Sequence, residues 1–121
     1  MVNGSNEALE LSEVREIEGV IRDWAVTHPE ICSVAIFGSR VRGEHRPDSD
    51  LDIAVEIVPP PGDTNAFATW ICEAGGWRDE LGTLLPYVVD LQWHDPGGTT
   101  PTIAAGLERG SRVIFKREPS I

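Results

Sequence analysis

Apolar residues near the start of the chain recur at helical spacing. Val14, Ile17, Ile21 and Trp24 fall three or four residues apart. That spacing predicts an amphipathic helix from a Ser12 cap to about Thr27. His28-Pro29 ends it, because the residue before proline avoids the helical region. Residues 1–11 read as a frayed lead-in.

The pattern then changes period. Ile31 to Phe37 is a short run rich in β-branched residues and reads as a buried strand. Gly38-Ser39 stops it, and a helical turn over residues 39–43 follows. Arg46-Pro47-Asp48-Ser49 is loop chemistry. From Leu51 to Val58 the chain alternates. Leu51, Ile53, Val55 and Ile57 share one face; Asp50, Asp52, Ala54 and Glu56 share the other. Pro59-Pro60-Pro61-Gly62 breaks this strand.

Thr64 is positioned to cap a second long helix carrying Phe67, Trp70, Ile71, Ala74, Trp77 and Leu81. Gly75-Gly76 weakens it by roughly 1 kcal/mol per glycine against alanine, so a kink or break is expected there. Tyr87 to Trp93 is a third strand, and residues 95–99 form a turn. Thr100-Pro101 opens a helix that runs to about Arg109, with Gly110 as its stop. Val113 to Lys116 is a last, edge strand. The order of elements describes a small mixed sheet with helices packed against it, an α/β (α+β) fold. No repeat or linker divides the chain, so residues 1–121 are expected to form one domain with its core at about 12–116.

Composition bounds the function. A chain of 121 residues with 40% hydrophobic content buries roughly two thirds of its unfolded surface. The net charge of −10 argues against a nucleic-acid duplex as partner, since that needs a basic footprint. It leaves a nucleotide ligand open, because a metal ion can mediate contact with phosphates. Cys32 and Cys72 lie in apolar patterns and read as reduced core residues. With no signal-peptide pattern and no membrane-length apolar run, the chain is expected in the cytoplasm, away from membranes.

The candidate chemistry starts from Asp50 and Asp52. Aspartate is a poor strand residue, yet two of them open a strand on one face, roughly 6.5–7 Å apart. Two like charges at that distance repel by about 2.5 kcal/mol at an effective dielectric near 20. A divalent cation reverses the sign of that interaction. Carboxylates without nitrogen or sulfur ligands suit Mg²⁺, or Mn²⁺, rather than zinc.

Ten residues separate Gly38-Ser39 from Asp50. Glycine lets the backbone approach a phosphate, the Ser39 hydroxyl adds a donor, and Arg40 and Arg42 add positive charge. Ser49, beside the first aspartate, is counted with this nucleotide-binding set. A solvated face is the plainer reading of the two arginines. For the two halves to meet, the first two strands must be antiparallel neighbours. A third carboxylate would complete a two-metal site. Its candidates are Asp90, Glu56, Asp79 and Asp95. Asp90 is preferred because it interrupts the apolar Val88-Val89-Asp90-Leu91.

"GSRVRG" followed by "SDLDIAV" resembles the nucleotidyltransferase signature of the DNA polymerase β superfamily, most closely the minimal nucleotidyltransferases. Many of these are the antitoxin half of pairs with HEPN-domain toxins. The resemblance covers Val34 to Gln92, and "TIAAGLERGSRVIF" resembles the family's closing helix and strand. It implies a nucleotidyltransferase fold in which Asp50, Asp52 and Asp90 hold two Mg²⁺ ions and carry catalysis, while Gly38 and Ser39 bind the triphosphate of ATP. It further implies transfer of AMP to a toxin hydroxyl, with pyrophosphate leaving. A non-catalytic antitoxin and a small-molecule transferase are the competing functions. Self-association is left open.

Overall fold

The computed structural model describes residues 11–44, 49–59 and 65–117, with side chains from residue 15 onward. Its elements are α1 (Leu11–Val26), β1 (Ile31–Phe37), α2 (Ser39–Arg42), β2 (Leu51–Ile57), α3 (Ala66–Leu84), β3 (Val89–Trp93), α4 (Pro101–Arg109) and β4 (Ser111–Lys116). The strands form one mixed sheet in the order β3-β2-β1-β4. β1 is antiparallel to both β2 and β4, while β2 and β3 run parallel. A parallel pair needs a crossover, and α3 supplies it.

One face of the sheet carries the core. Val34, Ile36, Leu51, Ile53, Val55 and Leu91 are buried there, as the alternation in β2 requires. Helix α1 covers this face with Ile17, Ile21, Trp24 and Ala25, and α3 with Ala74, Trp77 and Leu81. Full burial of one such aliphatic side chain is worth roughly 1.5–3 kcal/mol. The two helices are tied together at their outer edge. Trp24 and Trp77 meet edge to face at 6.3 Å. Trp24 Nε1 donates to Glu80 Oε1 at 2.8 Å, and His28 Nε2 lies 2.8 Å from the same oxygen. Arg112 of β4 bonds Glu18 of α1.

Several local expectations are corrected. α1 takes in Leu11, so Ser12 lies inside its first turn rather than capping it. The cap of α3 is Asn65, whose side chain accepts from the Ala68 N–H at 3.2 Å. Thr64 lies outside the described residues, as do the lead-in 1–10, the loop at 45–48 and the prolines at 60–61 with Gly62. α3 runs unbroken through Gly75 and Gly76. Both are exposed, so they cost only propensity and leave no packing gap. Phe67, Ile71 and Cys72 are exposed rather than core. Among the described residues no helix is long and apolar enough to cross a membrane.

The opposite face carries Phe37, Asp52, Ala54, Asp90 and Gln92, the alternate residues of the same strands. Helix α4 lies over part of it, with Gly106 against the Phe37 ring. Thr100-Pro101 opens α4 as expected, but Thr100 Oγ1 accepts from the Asp95 N–H at 2.9 Å rather than capping the helix.

Candidate active site

The site is built where β1 ends. Gly38 adopts φ 83°, ψ −161°, a conformation that only glycine takes without strain. Its carbonyl accepts from the N–H groups of Val41 and Arg42, both at 3.1 Å, and so starts α2. Gly43, in the left-handed region at φ 75°, ends this single turn by donating to the Ser39 carbonyl. The antiparallel register then sets Phe37 opposite Asp52. The Asp52 carboxylate lies directly over Gly38, where a Cβ would collide with Oδ2.

The parallel register sets Asp52 opposite Asp90. The two carboxyl groups therefore crowd each other at the floor of a cavity of about 740 Å³. Gly38, Ser39 and Arg42 form one wall; Thr102, Gly106 and Arg109 of α4 form another. Burial pushes the Asp52 carboxyl up to about 6, helped by the charge of Asp90, a hydrogen bond shared with it, and the charge of Asp50; Arg42 pulls the other way. Above about pH 6 the pair is therefore mostly ionised, and a cation between the two carboxylates would relieve their repulsion.

Of the three aspartates expected to act together, the structure brings two to the cavity. Asp50 is exposed at the mouth of β2, adding charge from outside the lining. Among the described residues no three His, Cys, Asp or Glu side chains converge into a metal cage. The other carboxylates weighed for the third place are elsewhere. Glu56 Oε2 sits 3.0 Å from His94 Nδ1. Asp95 caps its own turn, its carboxyl held below the usual range first by the Thr99 hydroxyl. Asp79 is exposed on α3.

The two arginines separate. Arg42 lines the cavity, its Nε donating to Glu44 Oε1 at 2.9 Å. Arg40 turns inward and is only 5% exposed. Its Nε donates to the Ser49 carbonyl at 3.0 Å, and its guanidinium lies 4.5 Å from the centre of the Tyr87 ring. Arg40 and Ser49 thus brace the start of β2 from behind and do not line the cavity. Two further residues do line it. Gln92 Nε2 donates to Asp90 Oδ1 at 2.8 Å, and Arg109 reaches it from the last turn of α4. The two-residue spacing from Asp90 puts Gln92 on the same face and marks it; no local signal marks Arg109.

A family model described as "Polymerase beta, Nucleotidyltransferase" matches residues 20–119. The chain belongs to this nucleotidyltransferase family. It is 41% identical over 81 residues, 67% of its length, to a Methanocaldococcus jannaschii protein provisionally named a protein adenylyltransferase, of which it covers 85%. Two solved structures share the fold. One is a toxin–antitoxin complex with AMP-PNP, at 21% identity and TM-score 0.57, over 89% of this chain and 76% of that one. The other is a tri-AMPylated Shewanella oneidensis HEPN toxin in complex with its MNT antitoxin, at 16% identity and TM-score 0.55, over 86% and 72%. At these identities the likeness to both structures is one of fold. In this nucleotidyltransferase the signature's glycine–serine turn and its second aspartate are the pair packed together at the cavity floor.

Proposed function

We propose that this nucleotidyltransferase moves AMP from ATP to a hydroxyl group of a HEPN-type toxin and thereby silences it. The observation that carries the reading is the in-register Asp52–Asp90 pair packed beside the Gly38–Ser39 turn in one cavity. The M. jannaschii relative's name supports a protein as acceptor, and the toxin complexes among the fold's neighbours support the kind of protein.

The residues assign the work as follows. Gly38 and Ser39 bind the triphosphate through the backbone and the Ser39 hydroxyl, with Arg42 beside them. Asp90 takes the proton of the attacking hydroxyl on Oδ2, since Oδ1 already accepts from Gln92. The acceptor oxygen bonds to the α-phosphorus as its bond to the bridging oxygen breaks, and pyrophosphate leaves. The crowded carboxylate pair fits a divalent cation, Mg²⁺ or Mn²⁺, held by Asp52 and Asp90 with Asp50 at the rim. When bound, that cation supplies positive charge to the phosphates.

The test is intact-mass spectrometry of a HEPN-type toxin, sought first in the gene beside this chain, after incubation with the chain, ATP and Mg²⁺. Added mass of one or more AMP units is the expected result. Toxin that is neutralised yet gains no mass would show that the chain acts by contact alone.

A further inference from the structure

Two adjoining cavities, of about 700 and 240 Å³, open between α1 and the C-terminal half of α3, and Val20 and Leu84 line both. They belong to the helical layer that covers the core face of the sheet, whereas the aspartate cavity lies on the other face. Together they form one trough that follows α1 from Glu16 to Thr27, roughly 16 Å of helix. Its floor is apolar, made by Val20, Trp24 and Leu84, and the Leu84 side chain is half exposed. Its rim is acidic. Glu16 and Asp23 stand two turns apart on one face of α1, and Glu80 borders the trough from α3. No Lys or Arg lines either cavity. Glu16 and Asp23 have no hydrogen bond or ion pair among the described residues. Glu80 meets Trp24 and His28 through Oε1 alone, which leaves Oε2 open.

We propose that this trough is a docking surface for a basic amphipathic helix of a partner protein. Its walls are two helices, and the groove between two helices accepts a third by interlocking ridges of side chains. A helix laid along α1 offers the floor apolar anchors at i, i+3, i+4 and i+7. Lysine or arginine beside that stripe, two turns apart, meets Glu16 and Asp23, and a basic residue on the other flank meets Glu80. The chain's own segments lack this chemistry. Residues 1–10 hold Glu7 and Glu10 and no Lys or Arg. α1 and α3 each carry more acidic than basic residues, and α4 carries one of each. α2 is basic, but it is a single turn at the aspartate cavity. A second copy, with its net charge of −10, would thus set like charge against the rim, and the occupant is a different, basic protein. A helix seated in the trough leaves the aspartate cavity open, so docking stands apart from the chemistry of transfer.

The experiment is a fluorescence-anisotropy titration of the intact chain against a labelled peptide of leucine and lysine, patterned as an amphipathic helix of about four turns. The same composition in scrambled order and a leucine–glutamate peptide of the same pattern are the comparison probes. Asp23→Lys reverses a rim charge, and Leu84→Ser removes a half-exposed floor side chain. Glu108→Lys makes the same charge change on the exposed side of α4. The expected result is saturable one-to-one binding of the patterned basic peptide, with the peptide gaining helix by circular dichroism. Asp23→Lys and Leu84→Ser should each weaken it about tenfold, Glu108→Lys by less than about twofold, and the effect of Asp23→Lys should grow at low salt. Thermal denaturation checks that each variant is folded. If Glu108→Lys weakens binding as much as Asp23→Lys, or the scrambled peptide binds equally well, the attraction is diffuse charge and the docking site is overturned. If Leu84→Ser binds like wild type, the apolar floor takes no part and the proposal fails. The absence of saturable binding overturns it as well.

Discussion

The carboxylate of Asp52 rests on the bare Cα of Gly38, with no room for a side chain between them. The end of one strand and the start of its antiparallel neighbour are thus packed into a single surface, and that contact demands glycine twice over. It needs the positive φ, and it needs the missing Cβ.

Gly38→Ala is therefore expected to damage both fold and activity. This positive-φ, extended-ψ conformation costs an alanine about 1–3 kcal/mol, and the added methyl displaces Asp52. Transfer is expected to fall by on the order of 100-fold, with a lowered melting temperature. A variant with wild-type rate and melting temperature would show that the turn is not part of the site.

Asp52→Asn and Asp90→Asn should separate stability from catalysis. Each is expected to lose roughly 10²–10⁴-fold in transfer rate. In EDTA at neutral pH neither is expected to lose stability, and Asp52→Asn should gain, because one like charge leaves a crowded pair. Rates and melting curves on the same preparations check this.

The pH dependence follows from the same crowding. The Asp52 carboxyl titrates at about 6 in the folded chain against 3.8 for an unperturbed aspartate, so the folded state holds its proton more tightly. Its contribution to stability is full below about pH 4 and is lost as pH rises through about 6. Melting temperature measured from pH 4 to 8 in EDTA, as wild type minus Asp52→Asn, should decline across that window. Millimolar Mg²⁺ should restore the loss above pH 6.

Arg40 is a packing residue by its placement. Arg40→Ala removes the donor to the Ser49 carbonyl and the guanidinium over Tyr87. It is expected to cost roughly 1–3 kcal/mol, read by urea denaturation. Arg40→Lys should fail to restore it, because lysine lacks the planar fork.

These residues also show what a sequence can and cannot disclose. The alternation from Leu51 to Ile57 put Asp52 on the face opposite the core, and the Gly38-Ser39 spacing demanded an antiparallel partner. Both are local facts, and the structure has both. Asp90 was marked by being polar in an apolar run, which is a statement about burial. Arg40 and Arg42 have the same chemistry two residues apart in one helical turn. One turns inward and the other outward, and only the packing of Tyr87 and the strand after Ser49 decides which. Arg109 reaches the cavity because β4 pairs with β1 and carries α4 over the sheet, a tertiary outcome with no local mark.

The claim that matters most is that the group transferred is the nucleoside monophosphate. The toxin should be incubated with the chain and Mg²⁺, using ATP labelled at the α-phosphate in one reaction and at the γ-phosphate in another. The account predicts label on the toxin from the α position only, γ label recovered in pyrophosphate, and neither event with Asp90→Asn. Label on the toxin from the γ position, or undiminished α label with Asp90→Asn, would contradict it.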